Sequence, residues 1–164
     1  MVKIGVLSDT HLTDLRQGFQ FLEKLAEEYL ADVDMILHAG DLVEPLLLKA
    51  FGDVPVFAVR GNMDPPSANL PAKRIVRAGS ARIGLIHGWG PIGNLEERVA
   101  GEFFPDMPDC LVYGHSHLPV CHQKEGVLFF NPGSPTEKRQ APFRSIGILE
   151  VDQKIHGRII RLDG

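Results

Sequence analysis

The sequence predicts an α/β fold with one domain over residues 1–164. Short apolar runs rich in Val, Ile and Leu recur along the chain, and each stops at a polar turn, which is typical of buried strands. An amphipathic segment follows the first run, whereas the second half of the chain consists mainly of strand-like runs. With 44% hydrophobic and 23% charged residues, the chain can form one sizeable core.

The first half of the chain alternates strands with helices. We predict a buried strand from Val2 to Leu7, and a helix over 14–30 whose apolar stripe faces the core and which Thr13 or Asp14 caps. A second strand over 34–38 precedes a second helix over 44–50, in which proline stands near the first turn and does little harm there. A third strand covers 55–59.

The second half is predicted to be rich in strands. A hairpin around Gly79-Ser80 joins strands over 74–77 and 81–86, and a helix covers 94–103. The remaining predicted strands cover 110–113, 119–122, 127–131, 145–151 and 155–162.

Composition excludes several classes of protein. The N-terminus lacks a signal-peptide pattern, and no apolar run approaches the roughly 20 residues that span a bilayer, so we expect a cytoplasmic protein without a membrane segment. Cys110 and Cys121 lack the close spacing of a zinc knuckle, which indicates reduced thiols. A net charge of −4 argues against an extended nucleic-acid surface, whereas a small anionic substrate is compatible with a local metal charge.

Polar side chains that can bind metal follow the predicted strands. Such strand ends meet at one edge of an open sheet, so we expect these side chains to converge. An Asp in this position often only caps a helix and an Asn often only shapes a turn, but their recurrence favours a metal site. Oxygen and imidazole ligands without thiolates suit Mn, Fe, Zn, Ni or Co. The candidate ligands are Asp9, His11, Asp41, Asn62, His87, His115 and His117.

These residues are too many for one ion. If one carboxylate bridges two ions, the set divides into two groups of four ligands. Each ion then has room for a shared hydroxide and a substrate oxygen.

In five ordered blocks the sequence resembles the calcineurin-like metallophosphoesterase superfamily. Its length and the turn Asn131-Pro132-Gly133-Ser134 are most similar to the small prokaryotic phosphodiesterase branch. The resemblance implies two stacked mixed β-sheets flanked by helices, a four-layer sandwich with the site at the strand ends. The five blocks are Asp9-Thr10-His11, Gly40-Asp41, Gly61-Asn62-Met63-Asp64, His87-Gly88 and Gly114-His115-Ser116-His117.

The resemblance also implies a ligand set and a reaction. One metal would be held by Asp9, His11, Asp41 and His117, and a second, bridged by Asp41, by Asn62, His87 and His115. The cofactors would be two divalent transition-metal ions, with Mn foremost and Ni, Fe, Zn or Co as alternatives. Two such ions, the carboxylates of Asp9 and Asp41 and a bridging hydroxide leave a net charge of about +1, which attracts phosphate.

We therefore predict a phosphodiesterase in which a metal-bridging hydroxide attacks phosphorus without a covalent intermediate. Asp41 and Asn62 are the catalytic candidates, because Asn62 can also donate its amide to a phosphate oxygen. Arg60 and Trp89 are candidate substrate contacts, although Arg60 can equally pair with an acid and Trp89 can equally pack in the core.

One position departs from the family pattern. Many members carry His after the motif Asn, where this chain has Met63, which has no proton to give to a leaving group. This favours diesters or activated esters. His38 and Asp64 are interpreted as structural residues.

The sequence leaves two alternative functions open. The chain could be a non-catalytic interaction scaffold of the same fold, as one eukaryotic trafficking-complex subunit is. It could also hydrolyse a nucleotide pyrophosphate or a cyclic nucleotide. Whatever the function, exposed strands of two copies of the chain could pair to form a homodimer.

Overall fold

Ten strands and two α-helices make up the regular structure of residues 1–162, the part of the chain that the computed structural model describes. The helices are α1 (Leu15–Tyr29) and α2 (Leu95–Gly101), and two short 3₁₀ helices cover Pro45–Phe51 and Pro66–Ala68. The strands are β1 (Val2–Leu7), β2 (Met35–His38), β3 (Val56–Ala58), β4 (Lys73–Ala78), β5 (Ala81–Ile86), β6 (Cys110–Val112), β7 (Val120–Lys124), β8 (Val127–Asn131), β9 (Ser145–Val151) and β10 (Ile155–Arg161).

The strands form two mixed sheets of five strands each. The first has the order β10-β9-β1-β2-β3, in which β1, β2 and β3 are parallel and β9 and β10 pair antiparallel. The second has the order β4-β5-β6-β8-β7, in which β5, β6 and β8 are parallel. In each sheet the parallel strands therefore bring their carboxyl ends to a common edge, where polar loops can meet.

Four layers result from the packing of these sheets. A cluster of buried side chains that includes Ile4 of β1 and Val112 of β6 lies between the two sheets. Leu22 of α1 packs with Ile148 on the outer face of the first sheet, and Val99 of α2 packs on the outer face of the second. This arrangement confirms the predicted sandwich of two stacked sheets flanked by helices.

Two predicted helices differ from the observed ones. The segment predicted as a helix over 44–50 is a 3₁₀ helix, capped by the Glu44 carboxylate and ended by Gly52, whose φ is 65°. The segment between Glu44 and Gly52 is short, and short segments favour the more tightly wound 3₁₀ helix. The helix predicted over 94–103 already ends at Gly101. Phe104 precedes Pro105, and a residue before proline disfavours helical geometry.

The first helix illustrates how the sequence sets an element boundary. Of the two predicted caps, Asp14 fills the position, and its carboxylate accepts the N–H of Gln17 at 2.8 Å. A capping carboxylate satisfies a backbone donor that has no partner within the helix. The helix thus begins directly after the loop that carries the first candidate ligands.

Cys110 is buried and Cys121 is exposed, and both thiols are free. The domain predicted over residues 1–164 includes Asp163 and Gly164, which lie outside the described residues.

Across residues 1–162, every helix falls short of the length and apolar character that crossing a bilayer requires.

Candidate metal centre

The loops that carry the predicted ligands meet at one edge of the sandwich. Beyond the end of β1, the N–H of Asp9 donates to Gly40 O at 2.9 Å and the N–H of His11 donates to Asp41 O at 3.0 Å. In the second sheet the N–H of Gly114 donates to His87 O at 3.0 Å. Neighbouring parallel strands therefore continue their pairing into the loops, which brings the ligands of adjacent strands side by side.

Five of the candidate ligands have a left-handed backbone, which is uncommon for residues other than glycine. Each costs on the order of 1 kcal/mol or more, so such residues persist only where the surrounding structure holds them, and they concentrate at functional sites. The φ angles are 55° for Asp9, 45° for His11, 60° for Asp41, 73° for His115 and 63° for His117.

A first group of ligand atoms belongs to Asp9, His11 and His117. Asp9 Oδ1 lies 3.5 Å from His117 Nε2 and 3.9 Å from His11 Nε2. All three atoms are buried, and none has a hydrogen-bond partner among residues 1–162. Buried polar atoms without partners are costly, so three that face one another fit a cation between them.

A second group belongs to Asp9, Asp41 and His87. His87 Nε2 lies 3.3 Å from Asp41 Oδ2, 3.8 Å from Asp9 Oδ1 and 3.0 Å from Asn62 Oδ1. Asp9 Oδ1 is therefore shared between the two groups. Carboxylate, amide and imidazole are the ligand types expected for a divalent transition metal, so the residues present fit such an ion.

Hydrogen bonds to the backbone set which ring nitrogen of three histidines is free. The Nδ1–H of His87 donates to Ala39 O at 2.7 Å, and that of His117 donates to Glu137 O, so both Nε2 atoms keep a lone pair. His115 is reversed, because its Nε2–H donates to Gly90 O at 2.8 Å and its Nδ1 remains free.

His115 belongs to neither compact group. Its ring lies beside that of His87, with centroids 5.4 Å apart.

The aspartates and histidines of the centre shift one another's pKa values. Burial opposes the charge on Asp9, but the nearby imidazoles of His11, His87 and His117 hold its pKa below the ordinary value. Burial likewise opposes the charge on Asp41, and contact with His87 outweighs it and lowers the pKa. For His87 burial favours the neutral form, but Asp41 and Asp9 together raise its pKa.

Two glycines beside the ligands permit close approach of the loops. A Cβ on Gly61 would overlap the carboxylate and the backbone nitrogen of Asp41, and a Cβ on Gly114 would overlap the Ser8 hydroxyl. Ser8 in turn donates to Asp9 Oδ2 at 2.7 Å. The glycines in these two motifs are therefore required by the space that the carboxylates occupy.

Asp64 connects two of the ligand loops. Its buried carboxylate accepts the N–H groups of Gly61 at 2.8 Å, Asp41 at 2.9 Å and Val43 at 2.7 Å. These contacts agree with its interpretation as a structural residue. They also show that it fixes the backbone of the Asp41 loop.

The turn over residues 131–134 forms hydrogen bonds to two of the ligand loops, a role that was not predicted from the sequence. The Ser134 hydroxyl donates to Asp9 O at 2.8 Å, and the Asn131 amide donates to Gly114 O at 3.2 Å. The turn thus holds the first ligand loop to the last one. The available signal was an Asn-Pro-Gly-Ser turn directly after a predicted strand.

The remaining candidates lie at the surface around the centre. Trp89 is 45% exposed in the loop after His87, and Met63 is 56% exposed while its N–H donates to Asp41 Oδ1 at 2.8 Å. Arg60 is also exposed, and within residues 1–162 its side chain makes no hydrogen bond or ion pair to the candidate ligands.

His38 is buried beneath the ligand loops. Its Nδ1 accepts the N–H of Gly40 at 3.1 Å, and its Nε2–H donates to the Thr10 hydroxyl at 3.2 Å. Burial lowers its pKa to about 4, so the ring is neutral at physiological pH. This is the structural role interpreted from the sequence.

Comparisons with known proteins find similarity to phosphoesterases. Residues 2–154 match the family model of the calcineurin-like phosphoesterase superfamily domain. A probable metallophosphoesterase of Methanocaldococcus jannaschii is 38% identical, over 98% of this chain and 81% of its own. A phosphodiesterase of the same organism is 26% identical, over 97% and 99%. The crystal structure of a predicted phosphoesterase from Streptococcus pneumoniae TIGR4 superposes with a TM-score of 0.75, at 24% identity over 98% of this chain and 89% of that one.

Proposed function

The chain belongs to the calcineurin-like phosphoesterase superfamily, and we propose that it is a phosphodiesterase that works with two divalent metal ions. The observation that carries the proposal is the convergence of Asp9 Oδ1, His11 Nε2 and His117 Nε2, buried and without partners among residues 1–162. A cation bound between these atoms would compensate them.

The proposed ligand sets follow the order of the motifs. Asp9, His11, Asp41 and His117 would hold one ion, and Asn62, His87 and His115 would join Asp41 around the other. Asp9 belongs to both groups of ligand atoms, so its carboxylate would be a second neighbour of both ions. When bound, two divalent ions supply a nucleophilic hydroxide and neutralise charge on the phosphoryl oxygens, and Mn is the first metal to test.

Asn62 has a proposed role toward the substrate. Its Oδ1 faces His87 and the metal-binding atoms, whereas the residue as a whole is exposed. The amide nitrogen is therefore available to donate a hydrogen bond to a phosphoryl oxygen, which would orient the ester in the site.

We propose a preference for diesters because the position after Asn62 offers no proton for a leaving group. Met63 follows Asn62 at the rim of the centre and has no proton to donate. Esters whose departing oxygen needs little protonation, such as aryl diesters, would therefore react best. The half-exposed Trp89 offers a surface on which an aromatic leaving group could stack. One of the relatives is named a phosphodiesterase.

A panel assay tests the proposal. Metal-stripped protein is given Mn²⁺, Ni²⁺, Zn²⁺ or Mg²⁺, and hydrolysis of bis(p-nitrophenyl) phosphate is compared with hydrolysis of p-nitrophenyl phosphate. We expect metal-dependent turnover that favours the diester. Asp41→Asn should abolish this turnover because it removes a carboxylate from the proposed bridging position, whereas Asp53→Asn, an exposed acid elsewhere, should not change it.

Two outcomes would contradict the proposal. Near-normal turnover in Asp41→Asn would reject the proposed bridge. Absence of hydrolysis with every metal and ester would instead favour an interaction scaffold of the same fold.

A further inference from the structure

The loop over residues 89–93 is held by a single guanidinium from α2. Arg98 donates through Nε to Trp89 O at 2.9 Å, through Nη1 to Gly93 O at 2.9 Å and through Nη2 to Pro91 O. A Cβ built on Gly90 would lie 3.4 Å from the guanidinium carbon, so the loop also packs against the group. Three carbonyls on one planar cation fix the position and orientation of the loop.

The same loop carries the acceptor of His115. Another carbonyl of the same loop, Gly90 O, accepts the Nε2–H of His115 at 2.8 Å. A carbonyl can only accept, so this contact requires the proton on Nε2, and in the neutral ring Nδ1 is then unprotonated. An imidazole with the opposite tautomer would lose this bond and would carry its proton on Nδ1.

The helix that supplies Arg98 is itself fixed to the second sheet. Glu96 accepts from the hydroxyl of Tyr113, the residue directly after β6, and lies 2.8 Å from His122 Nε2 of β7. Tyr113 stands two residues before His115. The helix, the loop and the histidine therefore form one connected unit.

We propose that Arg98 is a positioning residue for His115. It holds the 89–93 loop so that Gly90 O fixes the Nε2–H tautomer, and His115 Nδ1 is then presented to the second metal ion. The inference rests on the proposed two-ion site, to which it adds a residue that touches neither metal nor substrate. Loss of an outer partner of a metal-bound histidine typically weakens metal affinity about 10- to 100-fold.

The first experiment detects the tautomer without metal or substrate. Long-range ¹H–¹⁵N NMR spectra of metal-stripped protein at pH 8 distinguish the two imidazole tautomers, and a His115→Gln variant assigns the signals. We expect the Nε2–H form of His115 in the wild-type protein and a mixture in Arg98→Ala. The Nδ1–H form in the wild-type protein, or an unchanged pattern in Arg98→Ala, would overturn the proposal.

The second experiment measures metal affinity. In a calorimetric titration with Mn²⁺, Arg98→Ala should weaken one of two binding events about 10- to 100-fold and leave the other unchanged. Arg98→Lys should restore little, because a single ammonium cannot reach three carbonyls in a fixed plane. Glu97→Ala on the same helix and Arg77→Ala on β4 are the matched controls, since both residues are exposed, and neither should change the affinities.

The outcomes separate this inference from the proposed function. If the wild-type protein binds two ions but hydrolyses no ester, the proposed phosphodiesterase activity is wrong and the proposed role of Arg98 is unaffected. Two unchanged affinities in a folded Arg98→Ala variant would overturn the role of Arg98 and leave the phosphodiesterase standing. If Arg98→Ala does not fold, the wild-type tautomer and the Arg98→Lys titration decide.

Discussion

Replacing Asp64 by asparagine should destabilise the protein strongly although the two side chains have nearly the same shape. Asp64 is 4% exposed, and its carboxylate accepts three backbone N–H groups, from Asp41, Val43 and Gly61. An amide has one acceptor oxygen, so in either orientation at least one backbone N–H faces the NH₂ group and loses its partner.

The magnitude follows from the number and kind of bonds lost. A hydrogen bond to a charged group contributes about 1.5–3 kcal/mol, and a buried donor without a partner costs about 1–3 kcal/mol. We therefore expect Asp64→Asn to lower the free energy of unfolding by about 2–4 kcal/mol. Asp64→Ala leaves all three donors without partners and should cost more. In a domain of this size the asparagine variant corresponds to a fall in Tm of about 5–15 °C.

Urea unfolding of the metal-stripped protein, followed by circular dichroism, measures the effect. Asp53→Asn is the matched control, because it makes the same chemical change at an exposed position, and it should be neutral. A loss of less than about 0.5 kcal/mol in Asp64→Asn would refute the view that this carboxylate holds the two loops together.

Two further predictions concern other residues of the centre. Burial lowers the pKa of His38 in the folded protein to about 4. Between about pH 6.5 and pH 4 the unfolded chain therefore binds a proton that the folded protein does not. The free energy of unfolding should fall as the pH falls through this range. Between pH 7.5 and 5.0 the contribution of His38 to the free energy of unfolding should fall by about 2 kcal/mol. Urea unfolding should therefore show a smaller decrease in this free energy over that pH range in His38→Gln than in the wild-type protein. Equal decreases would contradict the lowered pKa of His38. Gly61→Ala should displace the Asp41 carboxylate, because its Cβ would overlap that side chain, and should weaken Mn²⁺ binding at least about tenfold. Unchanged binding in a calorimetric titration would show that the loop can move aside without affecting the ligand.

The layer structure was predictable where local pattern decides it. The apolar run before Asp9 and the amphipathic helix after it reveal their periodicity directly, and the observed β1 and α1 match the predicted ones. Long-range pairing left no such signal. Val2 of β1 pairs with Val151 of β9, and nothing in either apolar run specifies the other as its neighbour.

The candidate site divides in the same way. Side chains that could bind a metal recur after successive predicted strands, so the convergence of Asp9, Asp41 and His87 could be predicted. The groups that hold them act through the backbone, as Asp64 does on N–H groups and Arg98 does on carbonyls. Such contacts depend on loop conformations, including left-handed ones at Asp and His, and the residue types alone do not encode them.

The number of Mn²⁺ ions bound per chain tests the central claim most directly. Metal-stripped protein should take up two ions in a calorimetric titration checked by elemental analysis, and Asp9→Asn should weaken both binding events because Asp9 Oδ1 belongs to both groups of ligand atoms. Binding of no ion by the wild-type protein, or two undiminished binding events in Asp9→Asn, would contradict the assignment of this strand edge as a two-metal centre.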